Sequence, residues 1–289
     1  MSTIPSTDIR RRILQDTDLI PTLPEVTVKV IAFLNEGDTQ PEDLENLLIY
    51  DQALVARVLA MVNSPFFGLR REISRIKDAI MVLGYQNLRS LVIATSSVKH
   101  MRQDFSCYGY EPKGLWKHSV SIAEATKSLA SDLGEAEPMC EEMFIAALLH
   151  DIGKMVMGNY LTSCPKDSLD GFASIEDAER ELLGITHGEA GTLVAAKWNL
   201  SPLVSVIAEH HHDGEPSSEF KRYVTMLRIA DGLMHDAGTG YLEGQSPSSH
   251  DLGRELAVLG VESDDWEAFK HNAEAAAELA LVHIAGVYS

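Results

Sequence analysis

Leu148-Leu149-His150-Asp151-Ile152-Gly153-Lys154 is the stretch on which the reading of this chain turns. Phe144, Ile145, Ala146 and Ala147 precede it, so a histidine and an aspartate stand at the end of a face built for burial. Burying a polar group without a partner costs roughly 2–7 kcal/mol. A divalent cation is one partner that satisfies both side chains. Neutral imidazole offers nitrogen and carboxylate offers anionic oxygen, a set suited to Zn, Fe, Mn or similar ions. Adjacent residues of a helix diverge by about 100°, so further ligands must come from other helices.

Working outward, such residues recur. His118 lies early in a helix expected over Trp116 to Leu133. His187 opens one that runs to Trp198. His210 and His211 end one that begins at Pro202, and Asp231 sits in Arg228-Ile229-Ala230-Asp231-Gly232. Inward side chains on facing helices are how bundles build ligand sites. Singly, each residue has a plainer reading. His118 fits a hydrogen-bonded core histidine, His187 a helix cap, His210 to His212 a solvated triplet, and Asp231 a structural acceptor.

The rest of the pattern is helical. Val26, Val30, Ile31, Phe33 and Leu34 recur at helix spacing after Pro21 and Pro24. Asn35-Glu36-Gly37 stops that helix. Pro41 opens another, and Leu54, Val58, Leu59, Met61 and Val62 form a face that ends at Asn63-Ser64-Pro65. Asn63 to Gly68 is expected to be a structural corner with Phe66 and Phe67 tucked inward. Ile76 to Leu83 lead to Gly84, and a new helix starts around Leu88. Later helices are expected over Glu142 to Tyr160, Glu176 to Leu183, Tyr223 to His235 and Asp264 to Ala285. Gly238 to Gly253, rich in Gly and Ser, reads as a mobile loop. Strictly alternating β-branched runs are missing, so the expected class is all-α. The polar stretch Arg102 to Gly114 and a shift in histidine usage divide it into two lobes, residues 1–105 and 106–289.

Composition narrows the function classes. The chain has 289 residues, 45% of them hydrophobic, with a formal net charge of −19 and a pI near 4.9. A surface this acidic repels nucleic-acid backbones and anionic membranes. Cys107, Cys140 and Cys164 stand singly, so neither a zinc ribbon nor a disulfide framework is expected and a reducing cytoplasm fits. The first twenty residues lack the apolar run of a signal peptide. No apolar stretch reaches the length of about 18 residues that suggests a membrane span.

The order of His118, His150-Asp151, Lys154, His187, His210-His211 and Asp231 resembles the HD superfamily of metal-dependent phosphohydrolases. Ile20-Pro21-Thr22-Leu23-Pro24, Asp51 to Val55, Asn63 to Gly68, Ile76 to Gly84, Gly191 to Trp198 and Leu200-Ser201-Pro202 are similar to the HDOD family, a regulatory branch of that superfamily. The resemblance spans about residues 20 to 235. It implies a two-lobed helical bundle whose C-terminal lobe is HD-like and ends in a further helix. It also implies a bacterial signal-transduction protein, from a family in which most members have no demonstrated enzymatic activity. Many members depart from the ligand set, which this chain keeps. The implied metal ligands are His118, His150, Asp151, His187, His210, His211 and Asp231, for a divalent ion such as Fe, Mn, Zn or Mg. Asp236 to Leu242 looks like the GYP element of cyclic-di-GMP phosphodiesterases, but it follows Asp231 rather than the double histidine, and Leu242 replaces the proline.

Two functions follow. One is a non-catalytic module that binds a signalling partner, in which Arg70, Arg71, Arg75 and Lys77 face that partner or a phosphate ligand. The other is a metal-dependent phosphohydrolase acting on a nucleotide or other phosphoester, with Asp151 and Lys154 as its catalytic residues and Lys154 at the pocket rim. The regulatory reading is favoured.

Overall fold

A computed structural model describes residues 6–15, 24–35, 52–63, 71–101, 104–161, 171–236 and 252–287, together with residues 40, 43, 44, 48 and 69. Thirteen longer helices carry the description. They are α1 (Ser6–Gln15), α2 (Glu25–Asn35), α3 (Gln52–Val62), α4 (Ile76–Met101), α5 (Gly114–Asp132), α6 (Glu137–Leu148) and α7 (Lys154–Leu161). There follow α8 (Ile175–Leu183), α9 (His187–Lys197), α10 (Pro202–His210), α11 (Lys221–Asp236), α12 (Leu252–Leu259) and α13 (Ser263–Val287). No strand occurs among the described residues, and the all-α class read from the periodicity is the class observed.

α5 is the axis of the bundle. Val120, Ile122, Ala123, Ala125, Leu129 and Ala130 are buried on every side of it, as expected of a helix surrounded by others. It packs against α6, α11 and α13. On α13 the contact face is Trp266, Ala273, Ala277 and Ala280, whose spacing of three, four and seven keeps one stripe inward. Upstream, α4 packs on α2, α3 and α6. Gly84 breaks α4 with a φ of 73°, where the sequence places a stop before a new helix. Asn63 closes the segment between α3 and α4. Its side chain donates to the Ile73 carbonyl and accepts from the Ile73 amide, each at 2.7 Å. The expected corner at Ser64 to Gly68, with Phe66 and Phe67, lies outside the described residues, as do Cys164, Arg70 and residues 237–251.

Two local expectations are corrected, and one helix was not foreseen. The single helix expected over Glu142 to Tyr160 is two, α6 and α7, separated by a turn at His150 to Gly153. A continuous helix would send His150 and Asp151 in directions about 100° apart, and the turn lets both face inward. Gly153 makes that turn compatible with packing. A Cβ there would lie 1.9 Å from the His187 carbonyl oxygen and 2.6 Å from the Gly191 amide. Gly253, expected in a loop, belongs to α12, which docks on α11. α1 was not foreseen either. Its apolar content is low, and it is held by buried Ile13 and by packing against α8.

Candidate metal centre

α5, the turn after α6, the start of α7, the start of α9, the end of α10 and the middle of α11 each deliver a polar side chain to one place. His118, His150, Asp151, Lys154 and His187 are fully buried, and His211 and Asp231 nearly so. Asp151 is the hub, and its two oxygens face different groups. Oδ2 stands 2.7 Å from Lys154 Nζ, 3.4 Å from His150 Nε2 and 3.6 Å from His118 Nε2. Oδ1 stands 3.4 Å from both His187 Nε2 and His211 Nε2. Asp231 Oδ1 lies 3.6 Å beyond His118 Nε2.

Backbone carbonyls set the tautomers of two of these rings, and a buried carboxylate sets that of a third. His150 Nδ1 is 2.6 Å from the Ala147 carbonyl, and His211 Nδ1 is 2.8 Å from the Ala208 carbonyl. His187 Nδ1 is 2.8 Å from Glu179 Oε2. Carbonyl and carboxylate oxygens only accept, so each Nδ1 donates and each neutral ring presents a bare Nε2 to Asp151. The Nε2 atoms of His187 and His211 are 3.1 Å apart. Two lone pairs that close repel unless a proton or a metal cation lies between them. Among the described residues, His150 Nε2, Asp151 Oδ1 and both oxygens of Asp231 are buried without a hydrogen-bond partner. Buried polar atoms are normally satisfied, so this set of inward nitrogens and oxygens fits a cation. The groups close enough to share one are Asp151 with His187, His211 and His212, and Asp151 with His118 and His150.

The electrostatics divide by partner. Burial opposes ionisation of Asp151, but Lys154 and His150 outweigh it and hold its carboxyl well below the usual range. Asp231, with no lysine of its own, is pushed up to about 6 by burial and, in part, by the charge of Asp151. Burial drives His211 down to about 3, with His150 and His187 adding to the effect, which keeps it a neutral ligand-type imidazole. Burial and then His211 and His187 hold His212 well below the usual value. Burial is also the largest single influence on His187 and depresses it, but the charge and hydrogen bond of Glu179 together with the charge of Asp151 outweigh it, and the net shift is upward.

Two placements differ from the sequence reading. Lys154, expected at a rim, is fully buried between Asp151 and the rings of Tyr108 and Tyr110, each 5.5 Å from Nζ. His210 stays out of the cluster. Its side chain is 23% exposed beside Glu209, and its carbonyl accepts from Arg228. Helix periodicity accounts for this. Val204, Ile207, Ala208 and His211 share the buried face of α10, and His210 falls outside it. His212, just past the helix, turns inward instead and lies 3.1 Å from Glu176.

Sequence reasoning also missed Tyr108, Tyr110 and Glu179. The tyrosines sit on and just after a 3₁₀ turn (Ser106–Tyr108) in a stretch read only as a polar connection. Tyr110 Oη is 3.5 Å from Asp151 Oδ2. Glu179 is legible in hindsight as a carboxylate on the apolar stripe Ile175, Glu179, Leu183 of α8. The N-cap of α9 is Thr186, not His187. Thr186 and Glu189 form a capping box that places His187 in the first helical position.

A model of the HDOD domain matches residues 20–214. A protein of Treponema pallidum (strain Nichols) is 25% identical over 252 residues, 84% of this chain and 46% of that protein. The chain therefore spans about half the length of that relative. Among solved structures, a candidate phosphohydrolase from Shewanella amazonensis has a TM-score of 0.70 at 25% identity, covering 96% of this chain and 98% of the other. A candidate signal transduction protein from Marinobacter aquaeolei shares the fold, with a TM-score of 0.65 at 20% identity over 95% of this chain and 64% of the other.

Proposed function

This chain belongs to the HDOD domain family, and on that premise we propose that it is a signal-transduction module that acts by binding a partner protein, its histidine–aspartate cluster holding a divalent metal in a structural or sensory role. The observation that carries the reading is enclosure. His118, His150, Asp151, Lys154 and His187 have no exposed surface, and His211 and Asp231 have 1% each. A cation can be satisfied there, whereas a phosphoester needs an opening. The ion would be held by Asp151, His187, His211 and His212, or by His118, His150 and Asp151, with Asp231 beside the second group. A set this rich in imidazole suits Zn or Fe better than Mg. When bound, the ion supplies positive charge against Asp151 and, with a free coordination position, an acidified water. No helix among the described residues is long and apolar enough to cross a membrane. The acidic surface leaves a protein as the favoured partner over nucleic acid, with a nucleotide or phosphate as a further ligand.

The test is metal content and melting temperature of the purified protein beside Asp151→Ala. Removing the hub should lower both, since a ligand that binds only the folded state stabilises it. Unchanged metal content and unchanged melting temperature would refute a metal role. A second reading is favoured by one feature: both groups share Asp151, so two ions could lie side by side, and paired ions clamp the attacking and leaving oxygens in two-metal phosphohydrolysis. In that reading Lys154 stabilises phosphate charge and the substrate is a nucleotide or other phosphoester. Nucleotide turnover abolished by His150→Ala would establish it.

A further inference from the structure

Outside the cluster, the most completely buried carboxylate in contact with it is Glu179, fully buried on α8. Its Oε2 accepts from the His187 backbone amide and from His187 Nδ1, each at 2.8 Å. Its Oε1 accepts from the Tyr108 hydroxyl at 2.7 Å. Tyr108 is itself buried, and burial followed by the Glu179 charge raises its phenol well above the ordinary range, so it remains the donor. Both carboxylate oxygens are thus engaged, one by a brace and the other by the ring and backbone of one histidine.

From these contacts we infer that Glu179 is a positioning residue for the metal centre: it holds the neutral His187 ring with its proton on Nδ1, turning the bare Nε2 towards Asp151 Oδ1 and His211, while Tyr108 fixes the carboxylate. The inference rests on the metal reading of the cluster. Two features make Glu179 more than a core acceptor. It takes the backbone amide and the ring of the same residue, so the histidine is clamped at two points and its orientation is set as well as its tautomer. His187 also opens α9, where its amide has no acceptor within the helix, so one carboxylate settles both the helix start and the ligand. Outer partners of this kind fix ring direction and raise ligand basicity, and losing one typically costs about 10–100-fold in metal affinity.

The experiment uses ¹⁵N-histidine-labelled protein, with the His187 signals assigned against His187→Gln, and zinc as the probe. In metal-free wild type at about pH 9, well above the ordinary imidazole range, the neutral His187 should carry its proton on Nδ1. Glu179→Met removes both acceptors at similar volume. It should mix the tautomers and weaken zinc binding by about 10–100-fold. Glu179→Gln keeps one acceptor oxygen and should restore the Nδ1–H form with most of the affinity. A purely structural glutamate would lower the melting temperature in the methionine variant and leave the His187 tautomer alone. An Nε2–H ring in the wild type overturns the inference, and so does a methionine variant with the wild-type tautomer and zinc affinity. If Glu179→Met does not fold, the wild-type tautomer decides by itself. If wild type takes up no zinc, the metal reading fails, while the tautomer still tests the clamp.

Discussion

Asp151, in the turn after α6, and Glu124, on α5, are both buried carboxylates, yet their surroundings push them in opposite directions. Asp151 is held well below the usual range, whereas burial raises Glu124 to about 8. The difference lies in how the nearby cations are spent. Lys154 sits on Asp151 at 2.7 Å with imidazoles on both oxygens. Near Glu124, Lys127 is committed to Glu141 at 2.8 Å and Glu137 at 3.4 Å, and Glu141 itself is raised to about 7, chiefly by burial. Burial alone favours the neutral acid. A buried carboxylate stays charged only where donors outnumber its competitors, and that condition separates Asp151 from the buried Glu124–Glu141 pair.

The strongest way to break the comparison is to take away the cation. Lys154→Met should cost the metal-free protein about 3–5 kcal/mol in urea denaturation, because it leaves a buried charge without its partner. Divalent zinc should recover much of the loss. A cost below about 1 kcal/mol would mean that the imidazoles alone support Asp151.

The next effect is read against pH. Unfolded, Glu124 titrates near 4.5, and folded it titrates near 8. Between those values the folded state keeps a proton that the unfolded state has lost, so stability falls as pH rises from about 5 to about 8. Glu141 adds to the lower part of that window. Glu124→Gln should flatten the slope and raise stability at pH 8 by on the order of 1–3 kcal/mol. Asp151 has the opposite sign. Its contribution is present at neutral pH and is lost only in acid, below the ordinary carboxylate range. A Glu124→Gln protein with an unaltered melting-temperature profile between these pH values would remove the contrast.

Smaller effects sharpen the picture. Tyr110→Phe removes a hydroxyl 3.5 Å from Asp151 and 3.4 Å from Lys154, both long contacts, and should cost less than about 1 kcal/mol in thermal denaturation. Smallest of all, Arg10→Ala loses a 3.8 Å exposed pair with Glu189 and should change stability by no more than about 0.5 kcal/mol. A larger loss would show that this pair, beyond the apolar packing of α1, holds the helix in place.

How much of this was open to sequence reading depends on the distance over which each feature is decided. Helices such as α5, α9 and α11 announce themselves because a period of 3.6 is a local property of the chain, and glycine or proline near their ends is chemistry of one or two residues. The histidines, Asp151 and Asp231 were legible as polar groups on apolar faces, and their order carried the family. His211 was separable from His210 by the same period, because it continues the face of Val204, Ile207 and Ala208. The break between α6 and α7 was not legible. It depends on Gly153 meeting the backbone of His187 and Gly191, which lie more than thirty residues away and touch it only once the helices pack. The roles of Glu179 and Tyr108 were hidden for the same reason: a carboxylate on the apolar stripe of α8 gives no sign of its partner until the fold brings it to His187, and Tyr108 looks ordinary until it meets Glu179. Lys154 shows the limit most clearly. Its sequence neighbours allow a rim or a surface position, and it is buried because Asp151 and two tyrosine rings from before α5 close around its ammonium. Periodicity and residue chemistry act along the chain, whereas burial, tautomer and charge state are set by groups that meet only in three dimensions.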